Sequence, residues 1–257
     1  LKAAGATALV GIAEAHGMEA ALAQGKKGFA GKKGESDAAE NPSAGGAQAD
    51  GPPIIDCHSH LRGDWFPAIE VAEAFMDRIN VRRMLVMPPP QGVHNAQYDV
   101  EELAPLVRKS DRFGLVAGGG SLNVMLPRAG FDETVTADTL RRFEQTAASI
   151  LQAGALAFGE LTFEHFSMTS GHPYVVARPD GPLMLRLADI AAERGVPIDV
   201  HMEALAKDGA MPAAILKLSD ANAAKVAANI ERFERLLAHN RKAPIVWVHL
   251  GWDNSGQ

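Results

Sequence analysis

From Pro53 onward, short apolar runs alternate with segments of helical period, and this alternation constrains the fold more than any other feature of the chain. The runs are PIIDCHSH (53–60), RRMLVMP (82–88), RFGLVAGGG (112–120), ALAFGEL (155–161), VPIDVHME (196–203) and APIVWVHLG (243–251), each with the length and content of a buried strand. Helical segments separate them at 66–80, 99–110, 136–154, 182–195 and 221–240; in the first, Ile69, Ala72, Phe75, Met76 and Ile79 recur at helical spacing. Strands that are apolar on both faces and separated by helices imply a parallel sheet covered by helices, so the fold class is α/β.

Two architectures satisfy that pattern, an open doubly wound sheet and a (β/α)8 TIM barrel. A dinucleotide-binding sheet carries a glycine-rich phosphate turn directly after an early strand. Here the first strand runs instead into HSHLRGDW (58–65). The glycine cluster GGGS (118–121) leads into LNVMLP (122–127) rather than a helix start, and is not read as a phosphate cradle. A barrel needs eight strands in about 250 residues, and six are legible after residue 52. The expectation is an incomplete (β/α)8 TIM barrel, open between its first and sixth strands.

The first run places Asp56, Cys57, His58 and His60 close together. Strand alternation puts Asp56, His58 and His60 on one side and Cys57 and Ser59 on the other, with the two imidazoles about 7 Å apart along the strand. Glu160, His201 and His249 fall near the ends of the fourth, fifth and sixth runs. In a barrel these ends converge on one mouth, where such folds assemble their sites. Any one histidine ending a buried strand reads most simply as a structural group. A histidine or carboxylate at four strand ends reads as a metal site of nitrogen and oxygen ligands, suited to zinc and also to manganese, iron, cobalt or nickel. Asp56 is read as an acceptor that orients the His58/His60 pair or a neighbouring strand. His16 and His239 are read as solvated.

The net charge of −6 and pI near 5.8, with no basic block longer than GKKG or VRR, argue against nucleic acid or an anionic membrane as partner. A small-molecule substrate is expected. With Cys57 as the only cysteine, no intrachain disulfide can form. Residues 3–15 (AAGATALVGIAEA) form a mild Ala/Gly-rich stretch, too short to span a bilayer, that reads like the apolar region of a signal peptide. The opening LKAAGATALVG resembles the tail of a twin-arginine export signal and so implies a periplasmic or exported protein. Read as an Ala-rich helix without targeting value, it leaves the protein cytoplasmic. Residues 24–52, rich in Gly, Ala, Ser, Lys and acids, are read as a flexible linker between this leader (1–23) and the domain that follows (53–257).

The segments IIDCHSHL (54–61), FGELTFEHF (158–166), IDVHMEA (198–204) and IVWVHLGW (245–252) resemble the metal-site strands of the amidohydrolase superfamily, especially its amidohydrolase-related (amidohydrolase 2) branch. The resemblance covers residues 54–257 and implies that His58, His60 and His201 bind metal. It implies that His249 binds a second metal or contacts substrate and the attacking water, so His201 and His249 are the catalytic candidates. Glu160 stands where many members carry a carboxylated lysine bridging two metals and others use glutamate; it could bridge two ions or ligate one. The expected cofactor is therefore one or two divalent ions, with zinc preferred. Such an ion lowers the pKa of the water it binds from 15.7 to roughly 7, which suits hydrolysis of an amide, ester or lactone. The family's general base is an aspartate on the eighth strand. Asp253, on the loop after the sixth run, is not read as its replacement, and the 257-residue chain is expected to turn over only with the remaining strands restored.

Substrate contacts are expected from the loops: His165, His172, Tyr174 and Arg178 in 162–181, and His94 in 88–99. Beside the hydrolase stand a metal-dependent non-oxidative decarboxylase of the same branch and a non-catalytic, exported metal-binding protein. The linker reading has a direct test: limited proteolysis is expected to trim the chain to near Pro52. A protected fragment that keeps residues 24–50 would refute it.

Overall fold

Runs of apolar residues bounded by Pro, Gly or Asn form the strands, and the segments of helical period form the helices between them. The computed structural model describes residues 51–251, apart from 62–67, 93, 96–97, 127–134 and 171. The leader, nearly all of the linker, His16 and Asp253 lie outside the described residues. In chain order the elements are β1 (Ile54–Ser59), α1 (Ala68–Arg78), β2 (Val81–Val86), α2 (Val100–Val107), β3 (Phe113–Gly118), α3 (Ala137–Gln152), β4 (Ala157–His165) and β5 (Val175–Val176). They continue with α4 (Pro182–Arg194), β6 (Ile198–Met202), β7 (Gly209–Ala210), α5 (Ala213–Leu216), β8 (Lys225–Val226), α6 (Ile230–His239) and β9 (Ile245–Trp247). Short 3-10 turns follow β3 (Asn123–Met125) and β9 (Val248–Gly251).

Local chemistry sets the helix ends. The Thr136 hydroxyl accepts the Thr139 amide and starts α3, satisfying a backbone donor that has no partner within the helix. Pro182 opens α4, and Gly195, at φ +65°, closes it in the left-handed conformation. Along α4, Leu183, Met184, Leu187, Ala188 and Ala191 recur every three or four residues and are buried.

Six strands pair in the order β1-β2-β3-β4-β6-β9, every neighbour parallel, and the sheet curls into a half-barrel. These are the six runs read from sequence, in sequential order. One face packs on the helices: Phe113, Leu115, Phe158, Leu161, Ile198 and Val200 join Phe143, Ile150, Met184 and Leu187 in the main core. The other face carries a smaller cluster of Met87, Val116 and Ala157 with Leu85. The GGG run has a packing role. A Cβ on Gly119 or Gly120 would collide with the backbone carbonyls of Pro88 and Asn95, and Asp99 accepts the Gly118 amide at 2.8 Å.

Two expectations are corrected. The fourth strand continues four residues past its expected end, so Thr162 to His165 belong to β4, and β5 pairs antiparallel with its end. The helix read over 221–240 spans only Ile230–His239, with β8 lying upstream of it. Asparagine side chains explain the loss, because they bond the backbone in place of helical partners. Asn222 accepts the Ser167 amide and donates to the Ser167 and Ile215 carbonyls at 2.8–3.0 Å; Asn229 accepts the Leu205 amide and donates to the Glu203 carbonyl. Asn222 is 8% exposed. Asn222→Ala would strand the buried Ser167 amide and is expected to cost about 2 kcal/mol or more, read from urea unfolding. A loss below about 0.5 kcal/mol would show that this network does not hold the segment.

Candidate metal centre

An extra residue in β1 aims the first two imidazoles. Asp56 pairs with Met84 and Ser59 with Val86, three steps on β1 against two on β2. That is the signature of a β-bulge, which shifts every later side chain to the opposite face. Met84 and Val86 pack in the helix-facing core. Asp56 and Ser59 therefore share that side, and their side chains bond at 2.7 Å. His58 and His60 emerge on the other face. The expectation that Asp56 shares their face is thus overturned by the bulge; Asp56 accepts the His58 backbone amide at 2.9 Å instead of its ring.

A second irregularity aims Glu160. Phe158 pairs with Ile198 and Leu161 with Val200, again three steps against two, leaving Gly159 and Glu160 as the extra stretch. Glu160 is the fourth of nine residues in β4 rather than near its end, and is 2% exposed. Gly159 lets β6 approach: a Cβ there would stand 2.7 Å from the Asp199 Cβ.

Four imidazoles surround the Glu160 carboxylate. Oε1 lies 3.0 Å from His201 Nδ1 and 3.6 Å from His249 Nε2; Oε2 lies 3.3 Å from His60 Nε2 and 3.8 Å from His58 Nε2. His249 is not on a strand. It sits in the 3-10 turn after β9 at φ +56°, a left-handed conformation uncommon outside glycine. The Trp247 indole donates to the Met202 carbonyl at 3.0 Å and fastens that turn to β6. The rings pack edge to face, with centroids 4.9 Å apart for His58–His60 and His58–His249 and 5.0 Å for His201–His249.

The far side of three rings is also occupied. His58 Nδ1 meets Asp199 at 3.3 Å, His60 Nδ1 donates to the Met87 carbonyl at 3.0 Å, and His201 Nε2 meets Glu203 at 3.1 Å. Asp199 and Glu203, both buried, were not singled out in the sequence. Their signal is the period of two that runs along β6 and one residue past its end, which puts 199, 201 and 203 on one face.

Of the substrate candidates, His165 ends β4 and stacks on His201 at 4.8 Å, while its Nδ1 donates to the Pro173 carbonyl. His172 stacks on His165 at 4.5 Å, one ring further from Glu160. Tyr174 donates to Glu164 at 3.0 Å. Arg178 pairs with Asp180, which also takes Arg235 of α6, so Asp180 ties the segment before α4 to α6. His94 is exposed in the segment after β2.

Electrostatics follow from burial and pairing. Burial alone would raise the Glu160 carboxyl, but bonds to His201, His249 and His60 hold it well below the usual range. Burial opposes protonation of His201, yet Glu160 and Glu203 carry the ring up to about 10. Burial takes His165 down to about 4, helped by the neighbouring His201. Burial pushes Asp199 up against the pull of His58. His58 is raised despite its burial, by Asp199 and Glu160.

Among the described residues two groups could hold a metal ion: His58, His60 and Glu160, and Glu160, His201 and His249, with the ligand atoms of each within 4.8 Å of one another. The donor set fits a divalent cation, and one buried atom points the same way: His58 Nε2, beside Glu160, has no hydrogen-bond partner among the described residues. Comparison of the chain with protein-family models, curated proteins and solved structures returns no match.

Glu164, 3% exposed, is pushed up to about 8 by burial and by Glu203, with Tyr174 opposing. In the unfolded chain it ionises near 4.5. Between those values folding takes up a proton, so this group lowers stability by about 1.4 kcal/mol per pH unit as pH rises. In metal-free protein, Glu164→Gln is expected to gain stability over wild type from about pH 5 to about pH 8 and to gain no more above that. Urea midpoints across a pH series measure it; a pH-independent difference would contradict the buried neutral acid.

Proposed function

We propose that the protein is a metal-dependent hydrolase of the amidohydrolase type on a (β/α)8 TIM-barrel framework, cleaving an amide, ester or lactone with one or two zinc ions. The observation that carries this reading is the buried Glu160 carboxylate, with a nitrogen of His58, His60, His201 and His249 each within 3.8 Å. A divalent cation bound there supplies a Lewis acid and an acidified water, the chemistry that attack on a carbonyl group needs.

The chain's own residues do the rest. Glu160 belongs to both candidate ligand groups, which suits a carboxylate shared between two ions. Met87, Asp199 and Glu203 hold the outer nitrogens of His60, His58 and His201, so these rings are aimed before any ligand arrives. Solvent reaches the cluster past His60 and His249, whose side chains are 36% and 38% exposed, whereas His58 and His201 are 18% and 16% exposed. A substrate entering by that route would meet His60 and His249, the two more exposed rings. The neutral His165 backs His201 without competing for its proton.

Metal analysis after equilibration with zinc tests the centre. Wild-type protein is expected to retain zinc, and the His58→Ala/His60→Ala double variant to lose at least half of it. Hydrolysis across a panel of amides, esters and lactones is expected to vanish with chelator and return with zinc. Wild-type metal content in the double variant, or hydrolysis indifferent to chelator, would overturn the reading; release of carbon dioxide from aromatic or enolic acids alone would point to the decarboxylase.

A further inference from the structure

We propose that Asp199 is a positioning residue that fixes the tautomer of His58, holding the ring proton on Nδ1 and leaving the Nε2 lone pair directed at the Glu160 carboxylate. Its functional meaning rests on the metal-centre reading above, since a neutral imidazole binds a cation through the nitrogen that carries no proton.

The contacts are specific. Both Asp199 oxygens lie 3.3 Å from His58 Nδ1. Asp199 is 4% exposed, and among the described residues its side chain makes no other hydrogen bond and its Oδ1 has no hydrogen-bond partner. A carboxylate acts only as an acceptor when ionised, so the shared proton sits on Nδ1. The opposite nitrogen then has a lone pair. His58 Nε2 is buried, has no hydrogen-bond partner among the described residues, and stands 3.8 Å from Glu160 Oε2, too far for a hydrogen bond. An unpaired acceptor nitrogen facing a carboxylate is a gap that a cation closes.

Stability does not explain the pair. A buried carboxylate with one aromatic partner is a poor structural device, because an apolar pair of the same shape avoids its desolvation cost. The neighbouring backbone also accommodates Asp199 at close quarters, since Gly159 leaves room for its Cβ where any side chain would collide. The same stretch of chain repeats the arrangement: Glu203, the residue after β6, meets His201 Nε2 at 3.1 Å while His201 Nδ1 faces Glu160 at 3.0 Å. Thus β6 and the residue that follows it supply one candidate ligand and two carboxylates, each backing a ring.

Long-range 1H–15N NMR of the metal-free protein, in alkaline buffer where imidazole is neutral, reads the tautomer directly. Wild-type His58 is expected to be protonated at Nδ1. Asp199→Ala is expected to shift it toward Nε2, and Asp199→Asn, whose amide oxygen still accepts, to retain Nδ1 protonation. Zinc affinity by chelator competition is expected to fall about 10- to 100-fold in Asp199→Ala, with Asp199→Asn between it and wild type. His58 protonated at Nε2 in the wild type overturns the proposal, as does an Asp199→Ala variant with unchanged tautomer and unchanged affinity. The wild-type spectrum needs no substitution, so a variant that fails to fold does not shield the proposal. Wild-type protein that takes up no zinc would defeat the metal-centre reading alone, and the tautomer would still decide the role of Asp199.

Discussion

The charge on Glu160 organises the rest of the molecule. A carboxylate at 2% exposure in the middle of a strand is several kcal/mol unfavourable unless positive charge or hydrogen-bond donors surround it. The half-barrel meets that demand from four directions: His58 and His60 on β1, His201 on β6 and His249 after β9. Parallel strands make this possible, because their C-terminal ends all point to one rim. In the metal-free chain His201, held up to about 10, meets the Glu160 charge with its ring protons. A cation would displace those protons and take over the same task, which couples its binding to pH.

Outside this centre the polar groups form a shell. Asp199 and Glu203 back the rings, His165 and His172 stack outward from His201, and Glu164 stays neutral beneath Tyr174. Arg178, by contrast, is spent on Asp180, and His94 stands exposed away from the cluster's contacts. The groups that matter thus come from strands more than from the long loops.

Much of this was legible in the sequence, for a physical reason. Buried strands and amphipathic helices have different periods, so the six strands and four of the five helices could be read from residue spacing, as could the gathering of His58, His60, Glu160, His201 and His249. The backbone irregularities could not. A bulge inserts a residue without a side-chain signature, so strict alternation misplaced Asp56 and overlooked that Glu160 sits mid-strand. The fifth helix was overestimated because Asn222 and Asn229 look like ordinary polar residues until their backbone partners, far away in sequence, are known. Asp199 was hidden by a similar cause, since its role is defined by the His58 ring on another strand, while Glu203 is legible only through the period of two that it shares with His201.

The extra residue in β1 gives the site a reading frame of its own. Substitutions along IIDCHSH can soften or sharpen individual contacts and leave the geometry standing. A single deletion at Cys57 would instead restore regular pairing with β2: Asp56 and Ser59 would stay opposite Met84 and Val86, and His58 and His60 opposite Leu85 and Met87 on their present face, but the kink that sets the angle at which the rings leave the strand would be gone. Length in this strand therefore governs the aim of the rings, while composition is free to drift at some positions.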